Sequence, residues 1–187
     1  SNIKSDGELC DVEIIVIQKE NKIHKILILD NAGGMDPLTL RKSLVFGQGT
    51  ELEENEQNRV GFGKSSKYGA GLKQSSISQC KFTEIFSWQN KKVFKSYIDS
   101  EKLNSGEIKI VPQPEQSEIP QKYKSVFKQK ITDNGTLIVW NDMKNAITWK
   151  TGQGLLRNAE REMGRIYRYS IDKKKVKIRM ANYNQIT

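Results

Sequence analysis

Two glycine-rich stretches carry residue types that could bind a nucleotide. Residues 30–35 (DNAGGM) follow an apolar, β-branched run, and residues 68–73 (YGAGLK) open a helical pattern. A carboxylate at a strand end can accept a hydrogen bond from the amino group of adenine, and glycines beside it let the ring approach the backbone. A glycine-flanked helix start offers free N–H groups to phosphates. Each stretch alone is more often a tight turn, so the prediction depends on finding both, in this order.

The surrounding pattern places both stretches at the ends of regular elements. A hairpin is predicted from strands at 11–17 and 23–29, and Asp30 follows its second strand. Asp36 as N-cap and Pro37 as first helical residue predict the helix that carries Leu40 and Leu44. The remaining predictions are strands at 81–88, 93–98, 107–111, 135–140 and 176–180, helices at 68–79 and 155–169, and an exposed loop at 112–120. The polar stretch 47–66 is predicted to be a lid.

Composition limits the class of protein. The 187 residues carry a net charge of +9, with two cysteines and one histidine. These counts exclude a disulfide scaffold, a zinc ribbon and any site that needs two imidazoles. The longest apolar runs are too short to span a membrane, and no secretion leader is recognisable. We therefore expect a cytoplasmic protein, or a nuclear one in a eukaryote, with an α/β (α+β) two-layer sandwich whose sheet is mixed and mainly antiparallel.

The last predicted helix is amphipathic and strongly basic. Residues 157–187 hold nine Lys or Arg against three Asp or Glu. Four arginines share one face of the helix: Arg157, Arg161, Arg165 and Arg168. The opposite, apolar face is formed by Leu156, Ala159, Met163, Ile166 and Tyr167. The arginines and the following run of Lys173, Lys174 and Lys175 are either a solvated face or a docking surface for a phosphate backbone or an acidic partner.

These stretches together resemble the GHKL ATPases, which include gyrase B, MutL, histidine kinases, Hsp-type chaperones and MORC proteins. The resemblance is carried by residues 26–35 (ILILDNAGGM), 67–88 (KYGAGLKQSSISQCKFTEIFSW), 135–143 (GTLIVWNDM) and 162–171 (EMGRIYRYSI). The stretch 76–80 (SISQC) favours the MORC-like branch. The resemblance implies the Bergerat ATP-binding fold at residues 1–150, then the start of a basic, transducer-like segment at 151–187.

Roles for individual residues follow from the resemblance. It implies that Asp30 binds the adenine amine, that Gly34 and Met35 line the adenine pocket, and that Thr136 supports the adenine–water network. ATP and Mg²⁺ are the implied ligands. The implied phosphate-binding residues are Gly69, Ala70, Gly71, Leu72 and Lys73. Ala32 and Ser66 stand where the family has glycine, which is tolerable if their φ angles are negative.

The family's catalytic helix, with a Glu that activates water and an Asn that holds Mg²⁺, has no counterpart that we can assign in this sequence. We expect it upstream of Ser1, so we assign no catalytic residue and no metal ligand, and expect this stretch to bind ATP without turning it over. The resemblance implies an ATP-gated, DNA-linked switch that forms an ATP-dependent homodimer. The alternatives are a degenerate nucleotide- or nucleic-acid-binding module without turnover, and a chaperone-like ATPase.

Overall fold

Seven strands form one open sheet in the computed structural model, which describes residues 9–44, 71–107, 111–144 and 149–184. The strand order is β5-β4-β3-β6-β2-β1-β7. The strands are β1 Cys10–Lys19, β2 Lys22–Asp30, β3 Cys80–Gln89, β4 Lys92–Asp99, β5 Glu115–Gln116, β6 Gly135–Met143 and β7 Val176–Asn184. The helices are α1 Pro37–Leu44, α2 Gly71–Gln79, α3 Ser100–Asn104, α4 Gln121–Lys124, α5 Gly152–Ile166 and α6 Arg168–Asp172.

Strand pairing confirms the predicted mixed, mainly antiparallel sheet. Every neighbouring pair of strands is antiparallel except β1 and β7. Two-residue turns close the β1–β2 and β3–β4 hairpins, with left-handed backbone at Glu20 and Asn21 and at Asn90 and Lys91. Asparagine tolerates this conformation better than most residues, which is why Asn21 and Asn90 marked both turns in the sequence.

The two faces of the sheet are buried by different parts of the chain. Alternate residues of each strand face opposite sides, so each face has its own core. One face packs against helices: α1 contributes Leu40 and Leu44, which pack with Ile85 and Ile98. The other face carries a core of Ile15, Leu27, Leu29, Phe86, Trp88, Leu137 and Val139, which Ile119 and Tyr123 cover. Asp30 and Thr136 lie on the helix-covered face, the same face as Ile28 and Ile138, which stand two positions away on each strand.

The segment that covers the second face corrects two predictions. The predicted strand at 107–111 is not found at Glu107 or Val111, and residues 108–110 lie outside the described ranges. The predicted exposed loop at 112–120 instead contains β5 and buries Ile119. An edge strand has unpaired N–H and C=O groups. Glu115–Gln116 pair with those of β4, which brings the chain back over the sheet.

A buried carboxylate fixes the end of this covering segment. Glu13 on β1 accepts hydrogen bonds from the backbone N–H groups of Lys128 (3.1 Å) and Gln129 (2.8 Å). The guanidinium of Arg179 on β7 lies 3.6 Å from the same carboxylate. A buried charge needs such partners, so these contacts make Glu13 a structural residue.

The basic helix α5 begins earlier and ends earlier than predicted. The Thr151 hydroxyl caps it by accepting a hydrogen bond from Gly154 N–H at 3.2 Å. Its packing contacts come from Leu155, Leu156 and Met163, whereas the exposed fraction of Ile166 is 62% and that of Tyr167 is 37%. Ile166 and Tyr167, which were predicted to share the apolar face with Met163, are therefore not part of its packed surface. Ile166 is the last residue of α5, and the chain turns at Tyr167 into α6, so the predicted helical face does not continue through residue 169.

The last strand joins residues after 150 to the main sheet. β7 pairs in parallel with β1 over the register from Cys10–Val176 to Gln18–Asn184. The division into a domain at 1–150 and a segment at 151–187 stays a prediction. Among the helices in the described ranges, none is long and apolar enough to cross a membrane.

Candidate nucleotide site

Asp30 and Thr136 lie directly opposite each other on neighbouring strands. They are register partners of β2 and β6, so the sheet brings together two residues 106 positions apart. The Asp30 Oδ1 atom accepts a hydrogen bond from the backbone N–H of Ala32 at 2.9 Å. Burial raises the pKa of the Asp30 carboxyl, and the backbone N–H groups of Ala32 and Thr136 partly offset this. A carboxylate held this way is an acceptor on the helix-covered face, as adenine recognition requires.

Ser87, which was not predicted from the sequence, connects the loop after Asp30 to the start of β6. Ser87 on β3 is completely buried. Its Oγ accepts a hydrogen bond from the backbone N–H of Met35 at 2.8 Å and lies 3.0 Å from the Thr136 hydroxyl. The available signal was a single serine between aromatic residues in the strand segment 86–88 (FSW), which places a hydroxyl among buried residues.

The conformation of Gly34 is one that only glycine adopts without strain. Its φ is +66°, and a Cβ atom there would lie 2.0 Å from the backbone oxygen of Trp88. The side-chain amide of Gln89 donates a hydrogen bond to the backbone oxygen of Gly33 at 3.1 Å. Together with the contact from Ser87 to Met35, these interactions hold the loop after Asp30 close to β3.

Ala32 resolves one of the two departures from the family pattern. Its side chain is 2% exposed, and it is not among the residues with positive φ. Alanine therefore fits at this position, where the family has glycine, because its φ angle is not positive. The second departure, Ser66, lies outside the described residues, as does the predicted lid at 47–66.

The second glycine-rich stretch is described only in part. Gly69 and Ala70 lie outside the described residues, and Gly71 is the first residue of α2, so the predicted helix continues through Leu72 and Lys73. The helix is attached to the sheet further along, where the indole N–H of Trp140 donates to the Ser76 hydroxyl at 3.0 Å. The roles of Gly69, Ala70, Gly71, Leu72 and Lys73 in binding phosphate therefore stay predictions.

The described residues contain no group of three or more His, Cys, Asp or Glu side chains that could hold a metal ion. Mg²⁺ needs only one or two protein oxygens when phosphates and water complete its coordination. The binding of Mg²⁺ at this site stays a prediction.

Comparison with known families decides the class of the protein. The family described as histidine kinase-, DNA gyrase B-, and HSP90-like ATPase matches residues 5–136. That range is most of the chain, and it begins before β1 and ends at Thr136. The chain belongs to this ATPase family. No curated protein matches it.

Membership in the ATPase family confirms the resemblance at the level of the superfamily. It also confirms the fold class, because the seven-stranded mixed sheet with helices is the arrangement expected of these ATPases. The family implies ATP binding. The matched range includes Asp30, Ser87 and Thr136, whereas α5, α6 and β7 follow it.

The surface that follows the matched range is basic and partly apolar. We define the basic face as seven exposed side chains on and after α5: Arg157, Arg161, Arg165, Arg168, Lys173, Lys174 and Lys175. Glu162 forms an ion pair with Arg165 at 3.0 Å, which offsets some of this charge. Tyr169, with an exposed fraction of 67%, lies within the same surface, and the Lys173 ammonium is 4.2 Å from its ring centroid.

Proposed function

We propose that this chain is the ATP-binding part of an ATP-gated conformational switch from the MORC-like branch of the family. The observation that carries the proposal is the pairing of Asp30 with Thr136 beside a glycine loop attached to β3. Adenine presents a donor, its 6-amino group, beside an acceptor, N1. A carboxylate accepts from the amino group, and a hydroxyl beside it can hold the water that donates to N1.

The remaining ligand contacts follow from the predicted phosphate-binding stretch. We propose that Gly34 and Met35 line the adenine pocket and that residues 69–73 bind the phosphates, with Lys73 as a countercharge. Unpaired N–H groups at the start of a helix favour anions. ATP would bind together with Mg²⁺, and the bound pair would stabilise the closed conformation of the switch.

The proposal is tested by measuring the affinity of the chain for ATP, GTP and inorganic triphosphate by titration calorimetry with Mg²⁺ present. We expect saturable binding of ATP, at least tenfold weaker binding of GTP, and weaker binding still of triphosphate. Equal affinity for all three would show that the chain binds phosphate without reading adenine, which would contradict the proposal.

The larger organisation of the protein is part of the same proposal. We propose that residues 151–187 begin a transducer-like segment, that ATP favours a homodimer, and that the protein acts in the cytoplasm or nucleus.

A second function, nucleic-acid binding, is supported by the basic face. Seven cations lie close together in sequence with few acidic neighbours, and Tyr169 offers a ring among them. Lysine and arginine neutralise phosphates and release counterions, so such a surface fits a phosphate backbone. We propose that DNA contacts this face, which gives the ATP switch its DNA-linked role.

Reversing two charges on the basic face should weaken DNA binding. We expect Arg161→Glu with Arg165→Glu to lower affinity for every duplex sequence and to reduce the slope of log K against log salt by about two, because two phosphate contacts are lost. The measurement is fluorescence anisotropy over a salt series. The control is Lys92→Glu with Lys124→Glu, which makes the same charge change at exposed sites elsewhere. If both double variants lost DNA affinity equally, the effect would come from net charge alone, which would contradict a DNA contact at the basic face.

A further inference from the structure

The Ser87 hydroxyl has three hydrogen-bond neighbours, which is the full capacity of one hydroxyl. Its Oγ accepts from Met35 N–H at 2.8 Å, donates to the backbone oxygen of Gly135 at 3.2 Å, and lies 3.0 Å from the Thr136 hydroxyl. These three neighbours belong to the loop after Asp30 and to the start of β6. The serine therefore touches both sides of the candidate adenine site without being exposed to it.

The Ser87 hydroxyl has one proton to distribute among these neighbours. A hydroxyl donates one hydrogen bond and can accept two. If Ser87 donates to Gly135, it accepts the proton of Thr136, and the Thr136 oxygen then presents only lone pairs to the site. If Ser87 donates to Thr136, the Thr136 proton is released to point at a ligand. The Gly135 oxygen can only accept, so only the first arrangement makes all three hydrogen bonds, and in it Thr136 presents its lone pairs to the site.

We propose that Ser87 is a positioning residue for adenine recognition: it accepts the Thr136 proton, so that the Thr136 oxygen holds an ordered water beside the acceptor Asp30. This inference rests on the proposed function and deepens it. Adenine N1 needs a donor, which would be a water that gives one proton to N1 and the other to the Thr136 oxygen, and the amino group needs the acceptor Asp30. Hypoxanthine has the reverse pattern, an oxygen at position 6 and N1–H, so it opposes this arrangement.

The inference predicts a loss of base selectivity that depends on Thr136. The measurement is the ratio of ITP to ATP dissociation constants on the full chain, because the two nucleotides differ only at the edge that Asp30 and Thr136 face. We expect Ser87→Ala to narrow that ratio about tenfold, since it leaves the Thr136 hydroxyl without a fixed direction. Thr136→Val should narrow it similarly, and adding Ser87→Ala to Thr136→Val should narrow it no further.

A matched control separates positioning from loss of a buried hydrogen bond. Ser96 on β4 is also buried, and its hydroxyl donates to the backbone oxygen of Pro112 at 3.1 Å, far along the sheet from Asp30. Ser96→Ala should leave the ITP-to-ATP ratio unchanged. If Ser87→Ala fails to fold in a melting experiment, Ser87→Cys keeps the size, weakens the donor, and should narrow the ratio in its place.

Two outcomes would overturn the inference and are distinguishable from each other. The first is a folded Ser87 variant with an unchanged ITP-to-ATP ratio, or additive effects of Ser87→Ala and Thr136→Val. Either result would show that Ser87 is only structural, and the proposal of ATP binding would be unaffected. Failure of the unaltered chain to prefer ATP over ITP would contradict the proposed function itself, and this inference with it.

Discussion

Asp30→Asn is expected to abolish ATP binding while leaving the folded chain at least as stable as the unaltered one. The substitution keeps the side chain's size and can still accept the hydrogen bond from Ala32 N–H. It removes the negative acceptor, and an amide oriented to keep that bond directs its NH₂ group toward the donor of adenine. Two opposed donors in a buried site cost affinity on the order of a hundredfold or more.

The effect on stability has a definite sign. Burial raises the pKa of the Asp30 carboxyl in the folded chain, so the folded state holds its proton more tightly than the unfolded state does. Stability is therefore lost as the pH rises from the usual range of an aspartate through the raised pKa. Asp30→Asn lacks this titration, so its advantage over the unaltered chain should be larger at pH 7 than at mildly acidic pH.

Calorimetry with ATP and urea unfolding at several pH values check both parts of this prediction. Asp133→Asn is the control, because Asp133 is exposed and pairs only with Lys91 among the described residues. The control should bind ATP normally. If the Asp30→Asn chain folds and binds ATP as tightly as the unaltered one, Asp30 does not contact the nucleotide.

Gly34→Ala is expected to cause the second large effect, a loss of both stability and ATP binding. The backbone of Gly34 has φ of +66°, and an added Cβ would lie 2.0 Å from the Trp88 oxygen, which belongs to the sheet. The left-handed conformation costs a non-glycine residue about 1–2 kcal/mol, and overpacking adds about 1–3 kcal/mol. The loop must move, which separates Met35 from Ser87.

Gly106→Ala is the matched control for this prediction. Gly106 has φ of +76° with nothing within 4 Å of an added Cβ, so the variant carries the backbone cost without the clash. Urea unfolding should show a smaller destabilisation than for Gly34→Ala, and ATP affinity should be unchanged. Equal destabilisation by the two variants would mean that the close approach of Gly34 to Trp88 contributes nothing.

Local sequence patterns predicted the parts of the fold that local chemistry controls. Asn21 and Asn90 marked the two hairpin turns because few residues adopt left-handed backbone easily. Asp36 marked the start of α1, where its carboxylate accepts hydrogen bonds from Leu38 and Thr39 N–H. The order of strand, carboxylate and glycines likewise predicted where Asp30 would lie.

Other features depend on contacts between residues far apart in the chain. Ser87 meets Met35 and Thr136 across 52 and 49 positions, so nothing near it in the sequence indicated its partners. Glu13 is buried because residues 128 and 129 cap its carboxylate from the far end of the covering segment. The exposure of Ile166 followed from where α5 ends rather than from its helical position.

The central claim, that Asp30 and Thr136 form an adenine site, is tested most directly by NMR. The ¹⁵N-labelled chain is titrated with ATP and Mg²⁺, and backbone amide shifts are followed. The account predicts that the amides of Ala32, Met35 and Gly135 shift together in one saturable step, and that adenosine alone produces shifts at the same amides. Shifts confined to the basic face, with no change at Ala32 or Met35, would show that the triphosphate binds the cations of α5 and α6, and would contradict the claim.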